Sequence, residues 1–193
     1  MRGLTGTASS NGASIFLMAG EKMRNIVLMG FAGTGKTVIG RTLAALLRFQ
    51  FVETDELLKS VTGFLPPELL KKHGARRFFS EQELLYTKLA QKEAQVITVG
   101  SLVPSCELLR ILCPSSIFVF LECSAELLYK RLSKKNNGDY KKLSLDEFSA
   151  VLCAHEAVCI SLCDIRIKTD SLSVDECAHE LKQRYLDFLS RLD

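Results

Sequence analysis

Eight consecutive residues, Gly30-Phe31-Ala32-Gly33-Thr34-Gly35-Lys36-Thr37, hold the clearest chemistry in this chain. They fit G-x-x-x-x-G-K-[ST], which binds phosphate when it follows a strand and opens a helix. Gly30, Gly33 and Gly35 let the backbone wrap closely, so that successive amides, Thr34 among them, point at an anion. The N-terminus of the following helix adds a favourable dipole. Lys36 is placed to meet the β- and γ-phosphates of a nucleotide. The Thr37 hydroxyl is placed to bind Mg²⁺, a cation that sheds water reluctantly and suits a site with few protein ligands. The next acids are Glu53 and Asp55. A strand through them would aim both side chains the same way. Glu53 then positions Mg²⁺ and Asp55 accepts the proton of an acceptor hydroxyl; in phosphoryl transfer such positioning and charge neutralisation do most of the work. The plainer alternative is an acidic cap and first turn of a helix.

Those residues need a frame. Ile26–Met29 is a short, wholly apolar run, suited to a strand buried on both faces of a parallel sheet. Val38, Ile39, Leu43, Leu46 and Leu47 then recur at helical spacing. Phe51–Thr54 is a second strand, with Asp55 capping a helix over Glu56–Val61 that Thr62-Gly63 stops. Pro66-Pro67 begins a short helical segment. Ser80-Glu81-Gln82-Glu83 reads as a capping box opening a helix through about Ala94. Gln95–Val99, Ser116–Glu122 and Asp164–Thr169 complete five strands. Between them lie helices from Ser105 to Pro114, from Ser124 to Leu132, and from the capping box at Ser144 to about Val158. A third capping box at Ser173 opens a final helix to Leu192. Strands alternating with helices imply right-handed crossovers and a parallel sheet. The expected fold is a three-layer α/β sandwich around a five-stranded parallel sheet.

The 193 residues suffice for one domain, and even the longest apolar runs, such as Ile117–Leu121, are far short of a membrane span. A net charge of +3 is too mild to argue for nucleic acid. Basic residues instead gather at Lys130, Arg131, Lys134, Lys135, Lys141 and Lys142, against the single acid Asp139. Seven cysteines, none before Cys106, read as reduced thiols of a cytoplasmic protein. Cys153, His155, Cys159 and Cys163 have metal-capable side chains, but buried apolar cysteines are the simpler reading. Residues 1–22 are rich in small polar residues and lack a proper signal-peptide core, so they read as an unstructured tail or a mis-called start ahead of Met23. The domain is then residues 23–193.

With a loop of this kind, motors, GTPases, transporter ATPases and small-molecule kinases are all possible. No N-K-x-D base-reading motif is present, and the chain is short for motors and transporters. Asn25–Gly30, the loop through Lys36-Thr37, Gly40-Arg41, Glu53-Thr54-Asp55 and Thr62-Gly63 together resemble a shikimate kinase. The resemblance extends more weakly across residues 24–190 and includes Ile117–Glu122 and Asp164–Asp170; Met23 falls where such enzymes start. It implies strand order 2-3-1-4-5, ATP and Mg²⁺ as cofactors, and phosphorylation of shikimate to 3-phosphoshikimate. It further implies an adenine-stacking role for Arg131 and a lid over about residues 133–143, whose cations close over the transferred phosphate. A monomer with a small-molecule acceptor, and no nucleic-acid or membrane partner, is expected.

The acceptor side departs from the family pattern. Glu53 stands where the family has Asp. Phe79 occupies the position of a carboxylate-gripping Arg, with Arg76 and Arg77 one helical step away. Only Gly100 remains of a three-glycine run, Val99-Gly100-Ser101-Leu102 standing in its place. Lys141-Lys142-Leu143 is the nearest match to the lid's Arg-containing motif. His155 replaces a second carboxylate-binding Arg. Neither Phe nor a neutral His offers the planar fork that holds a carboxylate at two points. Three readings stay open: a shikimate kinase with a rebuilt acceptor pocket, a kinase for another small hydroxylated metabolite, or a nucleotide-binding protein without catalysis.

Overall fold

Strand β1 (Asn25–Met29) is buried along its whole length. Its side chains alternate between two cores. Ile26 and Leu28 join the cluster formed with Ile39, Leu43, Leu181 and Tyr185 on one face. Val27 and Met29 join Val52, Leu58, Phe78, Tyr86 and Leu109 on the other. The computed structural model describes residues 23–100, 106–134 and 139–191. Residues 1–22, Ser101, Leu102, Ser105, Lys135 and Leu192 therefore lie outside the described residues, as does the expected tail.

The five strands are β1, β2 (Gln50–Glu53), β3 (Gln95–Thr98), β4 (Ser116–Glu122) and β5 (Ile165–Lys168). All four pairings are parallel, in the order β2-β3-β1-β4-β5. On β4, Ile117, Val119 and Leu121 face the first cluster while Phe118 and Phe120 face the second. Each such side chain contributes about 1.5–3 kcal/mol when fully buried. Only the edge strand β5 alternates, with Ile165 and Ile167 inside and Arg166 and Lys168 exposed.

The helices are α1 (Lys36–Leu47), α2 (Thr54–Thr62), α3 (Pro66–Ala90), α4 (Cys106–Arg110), α5 (Ala125–Ser133), α6 (Leu145–Ile160) and α7 (Val174–Leu189). The capping boxes at Ser144 and Ser173 form as expected: each Ser accepts from the amide three residues on, and Glu147 or Glu176 reaches back. The box at Ser80 does not. Gly74, at φ 78 and ψ 170, interrupts α3, and the helix resumes there and passes straight through Ser80. Phe78, Gln82, Leu85, Tyr86 and Leu89 bury one face of that second segment, and this packing outweighs the local capping signal. Ser124 stands at the start of α5 but makes no side-chain cap, because its amide and hydroxyl are both engaged by Asp170. The helix ahead of Pro114 is short, and Cys113–Ser115 forms a 3₁₀ turn instead. No described helix is long and apolar enough to cross a membrane.

Candidate active site

The loop after β1 turns sharply because Gly33 and Gly35 adopt φ 87 and 96, a region that side chains disfavour. Gly35 gives α1 no side-chain cap, and the first turn of α1 carries no acid. Its amides and the positive end of its dipole are therefore left for an anion. The Thr34 hydroxyl ties the loop to itself by donating to the Phe31 carbonyl at 2.9 Å. Lys36 Nζ donates to the carbonyls of Gly30 at 2.7 Å and Phe31 at 3.0 Å. Burial pulls its ammonium down to about 8, against the opposing pull of Cys159, Asp55 and Glu53.

At the second residue of α1, the Thr37 hydroxyl donates to Glu53 Oε1 at 2.7 Å. Glu53 ends β2 and also faces Arg41 at 3.8 Å. The two residues expected to hold Mg²⁺ are thus in contact across the sheet edge. Two hard oxygen donors suit a cation that keeps most of its water.

Asp55 is placed differently from the expectation. The helix begins at Thr54, so Asp55 neither caps it nor shares a strand with Glu53. Strand alternation therefore does not explain why the two acids lie near each other; the first turn of α2 brings Asp55 round. Its carboxylate rests against the backbone of Gly100, so closely that a methyl carbon there would overlap both carboxylate oxygens. The Gly100 amide donates to Thr54 Oγ1 at 3.2 Å, and that hydroxyl also meets the buried Tyr86. Burial raises the Asp55 carboxyl above its ordinary value, opposed by Lys36 and reinforced by Glu53. Gly100→Ala must push Asp55 aside at a cost of about 1–3 kcal/mol. Its kcat is expected to fall at least tenfold while nucleotide affinity, set on the far side of Lys36, stays unchanged; steady-state kinetics and a nucleotide titration check this.

His155 comes from α6 and lines a narrow recess with Met29, Gly30, Val99, Gly100, Leu109 and Cys159. Its ring packs edge-on to Phe31, 5.1 Å between centroids, and Nδ1 lies 3.7 Å from Cys159 Sγ. Nε2 is buried and has no partner among the described residues. Burial, with Lys36 nearby, pulls the imidazole down to about 4, so it is neutral near pH 7.

The remaining expected acceptor residues are dispersed. Arg76 is exposed, and Arg77 is spent on His73 and Glu81 along the outside of α3. Phe79 is 43% exposed, its ring against Phe78. Lys142 is exposed, and the Lys141 side chain and residues 135–138 of the expected lid lie outside the described residues. Arg131 reaches the phosphate loop itself, donating to the Gly33 carbonyl at 3.0 Å. Asp139–Lys142 forms a 3₁₀ turn in which Tyr140 packs on Phe31 and Phe148. Tyr129 closes the far end by donating to the Leu143 carbonyl at 2.8 Å. Among the described residues no group of three or more His, Cys, Asp or Glu could hold a metal, Cys153 being exposed and Cys163 turned to the Ile160 carbonyl.

Comparison with known proteins places this geometry. The family described as shikimate kinase matches residues 32–186, from the phosphate loop to the last helix. The chain belongs to the shikimate kinase family. A shikimate kinase of Pelotomaculum thermopropionicum is 35% identical over 166 residues, covering 82% of this chain and 94% of that relative. One from Thermodesulfovibrio yellowstonii is 31% identical over 165 residues, covering 84% and 95%. Among solved structures, the Acinetobacter baumannii shikimate kinase in complex with shikimate superposes with a TM-score of 0.74 at 24% identity, over 86% of this chain and 94% of that one. The Aquifex aeolicus shikimate kinase gives 0.73 at 24% identity, over 86% and 98%. These two bear on the fold.

As a shikimate kinase family member the chain is a small-molecule kinase. Several residues at its centre have roles that their place in the sequence did not show. Phe31 occupies a variable position of the phosphate loop, yet it is 5% exposed beneath Tyr140, Phe148 and His155. Tyr86 and Thr54 support Asp55 from two different helices. Cys159 looked like a possible metal ligand and instead abuts His155. An aromatic side chain amid the small residues of the loop was the one available clue.

Proposed function

We propose that this shikimate kinase family member transfers the γ-phosphoryl group of ATP, with Mg²⁺, to a hydroxyl of a small shikimate-like metabolite. The observation that carries the reading is that Thr37, the neighbour of the loop's Lys36, donates to Glu53 at 2.7 Å while Asp55 rests against Gly100 and, with Glu53, draws on the Lys36 ammonium, so the phosphate loop, the metal acid and the base surround one point. Lys36 leaves the carbonyls of Gly30 and Phe31 for the phosphates and neutralises charge as it develops. Thr37 and Glu53 hold Mg²⁺, which supplies further charge neutralisation on the phosphates when bound. Asp55, kept basic by burial, accepts the proton of the acceptor hydroxyl. The free amides of the loop and of α1 orient the nucleotide. The activity of the relatives supports a ring-sized hydroxylated acceptor.

Thermal denaturation with and without nucleotide tests the first half of this reading. Mg·ADP at a hundredfold excess over its Kd is expected to stabilise the protein by about 2.7 kcal/mol. That corresponds to roughly 5–10 °C in Tm for a domain of this size. Chelating the metal shrinks the rise. A Tm that Mg·ADP does not move contradicts the proposal.

A further inference from the structure

Away from the phosphate loop, α2 and the second segment of α3 leave an apolar groove between them. Leu57, Leu58, Leu85 and Leu89 form its floor, and Val61 and Leu84 its lips. The lips are 63% and 50% exposed, among the most exposed large apolar side chains of the described residues. The groove has a volume of about 150 Å³. An apolar cavity of that order accepts a benzene-sized ring. None of its lining residues belongs to the site built around Lys36.

The described chain enters the fold beside one end of this groove. The Met23 carbonyl accepts from the Ala94 amide at 3.4 Å, and Asn25 Nδ2 donates to the Lys92 carbonyl at 2.8 Å. Lys92 and Lys88 line that end, and Glu81 lines the other. The groove thus follows roughly 15 Å of α3. Ahead of Met23 the sequence has one concentrated apolar stretch, Ile15-Phe16-Leu17-Met18. Phe16 is the single aromatic residue among residues 1–22 and precedes Met23 by seven positions. Extended, that length of chain reaches up to about 25 Å, enough to lay the ring anywhere along the groove.

We propose that Phe16 of the chain's own N-terminal segment occupies this groove, clasping Ile15–Met18 across α2 and α3. Burying the ring against the leucines takes apolar surface on both sides out of water. The covalent link through Met23 keeps the ring at high effective concentration beside its seat. Glu21, the single acid among residues 1–22, is two positions from Met23 and so within reach of Lys88 and Lys92 on the rim. A stable contact with a second copy needs about 800 Å² from each partner, far more than a ring-sized groove supplies.

The chain contains no tryptophan, so Phe16→Trp makes residue 16 the sole indole emitter. In the full-length protein its emission is expected to be blue-shifted relative to a peptide of residues 10–22 with the same substitution, and at least threefold less quenched by iodide. Val61→Lys and Leu84→Lys, at exposed positions that do not challenge folding, should return the emission towards the peptide's. A blue shift that neither lysine moves places the ring elsewhere and overturns the inference. So does a shift that grows with protein concentration, which would put the segment in the groove of another copy. Because indole is larger than the native ring, a thermal cycle with Phe16→Ser and Leu84→Lys in the full chain decides the matter independently. Phe16→Ser is expected to lower Tm by about 2–4 °C. Combined with Leu84→Lys it should add little to the loss that lysine already causes. A Phe16→Ser variant as stable as the native chain, or losses that simply add, overturns the inference whatever the indole reports.

Discussion

Lys36→Met is expected to lower kcat by about 10³-fold while leaving the fold intact. Removing a single preorganised electrostatic donor from a dehydrated site costs on the order of 10²–10³ in rate. Lys36 is a strong case, because it is the cation that faces both acids and lies under the loop. Methionine matches the length of the aliphatic stem, so the packing is largely kept. Tm should stay within about 5 °C of wild type, since the buried charge itself is costly. The pH dependence has two opposite signs. The folded value of about 8 lies below the ordinary 10.5, so the unfolded chain binds the extra proton between these limits. The linkage therefore makes stability rise with pH from about 8 to about 10.5. Affinity of the free protein for nucleotide phosphate should fall over the same window, as the ammonium is lost. Both trends should vanish in Lys36→Met, which a Tm series and a nucleotide titration across pH will read.

Asp55→Asn is the second large effect. The amide keeps the shape that fits against Gly100 but cannot take the acceptor's proton. General-base contributions are typically 10²–10⁴-fold, and kcat is expected to drop by that order. Nucleotide affinity should hardly change, because Asp55 stands on the acceptor side of Lys36. The raised carboxyl also places the acid limb of the kcat/KM profile above the usual carboxylate range. In Asp55→Asn that limb disappears along with most of the activity. A variant that loses nucleotide affinity equally would show that Asp55 supports the loop rather than the acceptor.

Features encoded within a few residues were legible in the sequence. The loop Gly30–Thr37 is one, since its glycines, Lys36 and Thr37 act within a single turn of chain. The capping boxes at Ser144 and Ser173 are others. The strand β1 was readable because burial on both faces demands an unbroken apolar run. Ser80 shows the limit of such signals: the same four-residue pattern sits inside α3, where burial of Phe78, Gln82 and Tyr86 decides the outcome. The acceptor side is assembled from Asp55, Gly100 and His155, which come from α2, the end of β3 and α6. No local spacing connects them. Gly100 was picked out by resemblance, yet its physical role, making room for the Asp55 carboxylate, required the fold. The outward pairing of Arg77 with Glu81 was likewise invisible without the kink at Gly74 that sets where this segment begins. Phe31 adds a link between the phosphate loop and the segment beyond it, through Tyr140 and Phe148.

In the proposed reaction, the residues around Lys36 move a phosphoryl group from ATP to an acceptor hydroxyl. A single-turnover experiment decides this: protein in excess over Mg·ATP labelled in the γ-phosphate, mixed with shikimate. The label is expected to move into an alkali-stable phosphate monoester of the acceptor, and Lys36→Met and Asp55→Asn are expected to abolish the transfer. Label that stays in ATP, or leaves only as inorganic phosphate at a rate indifferent to the acceptor, would contradict it.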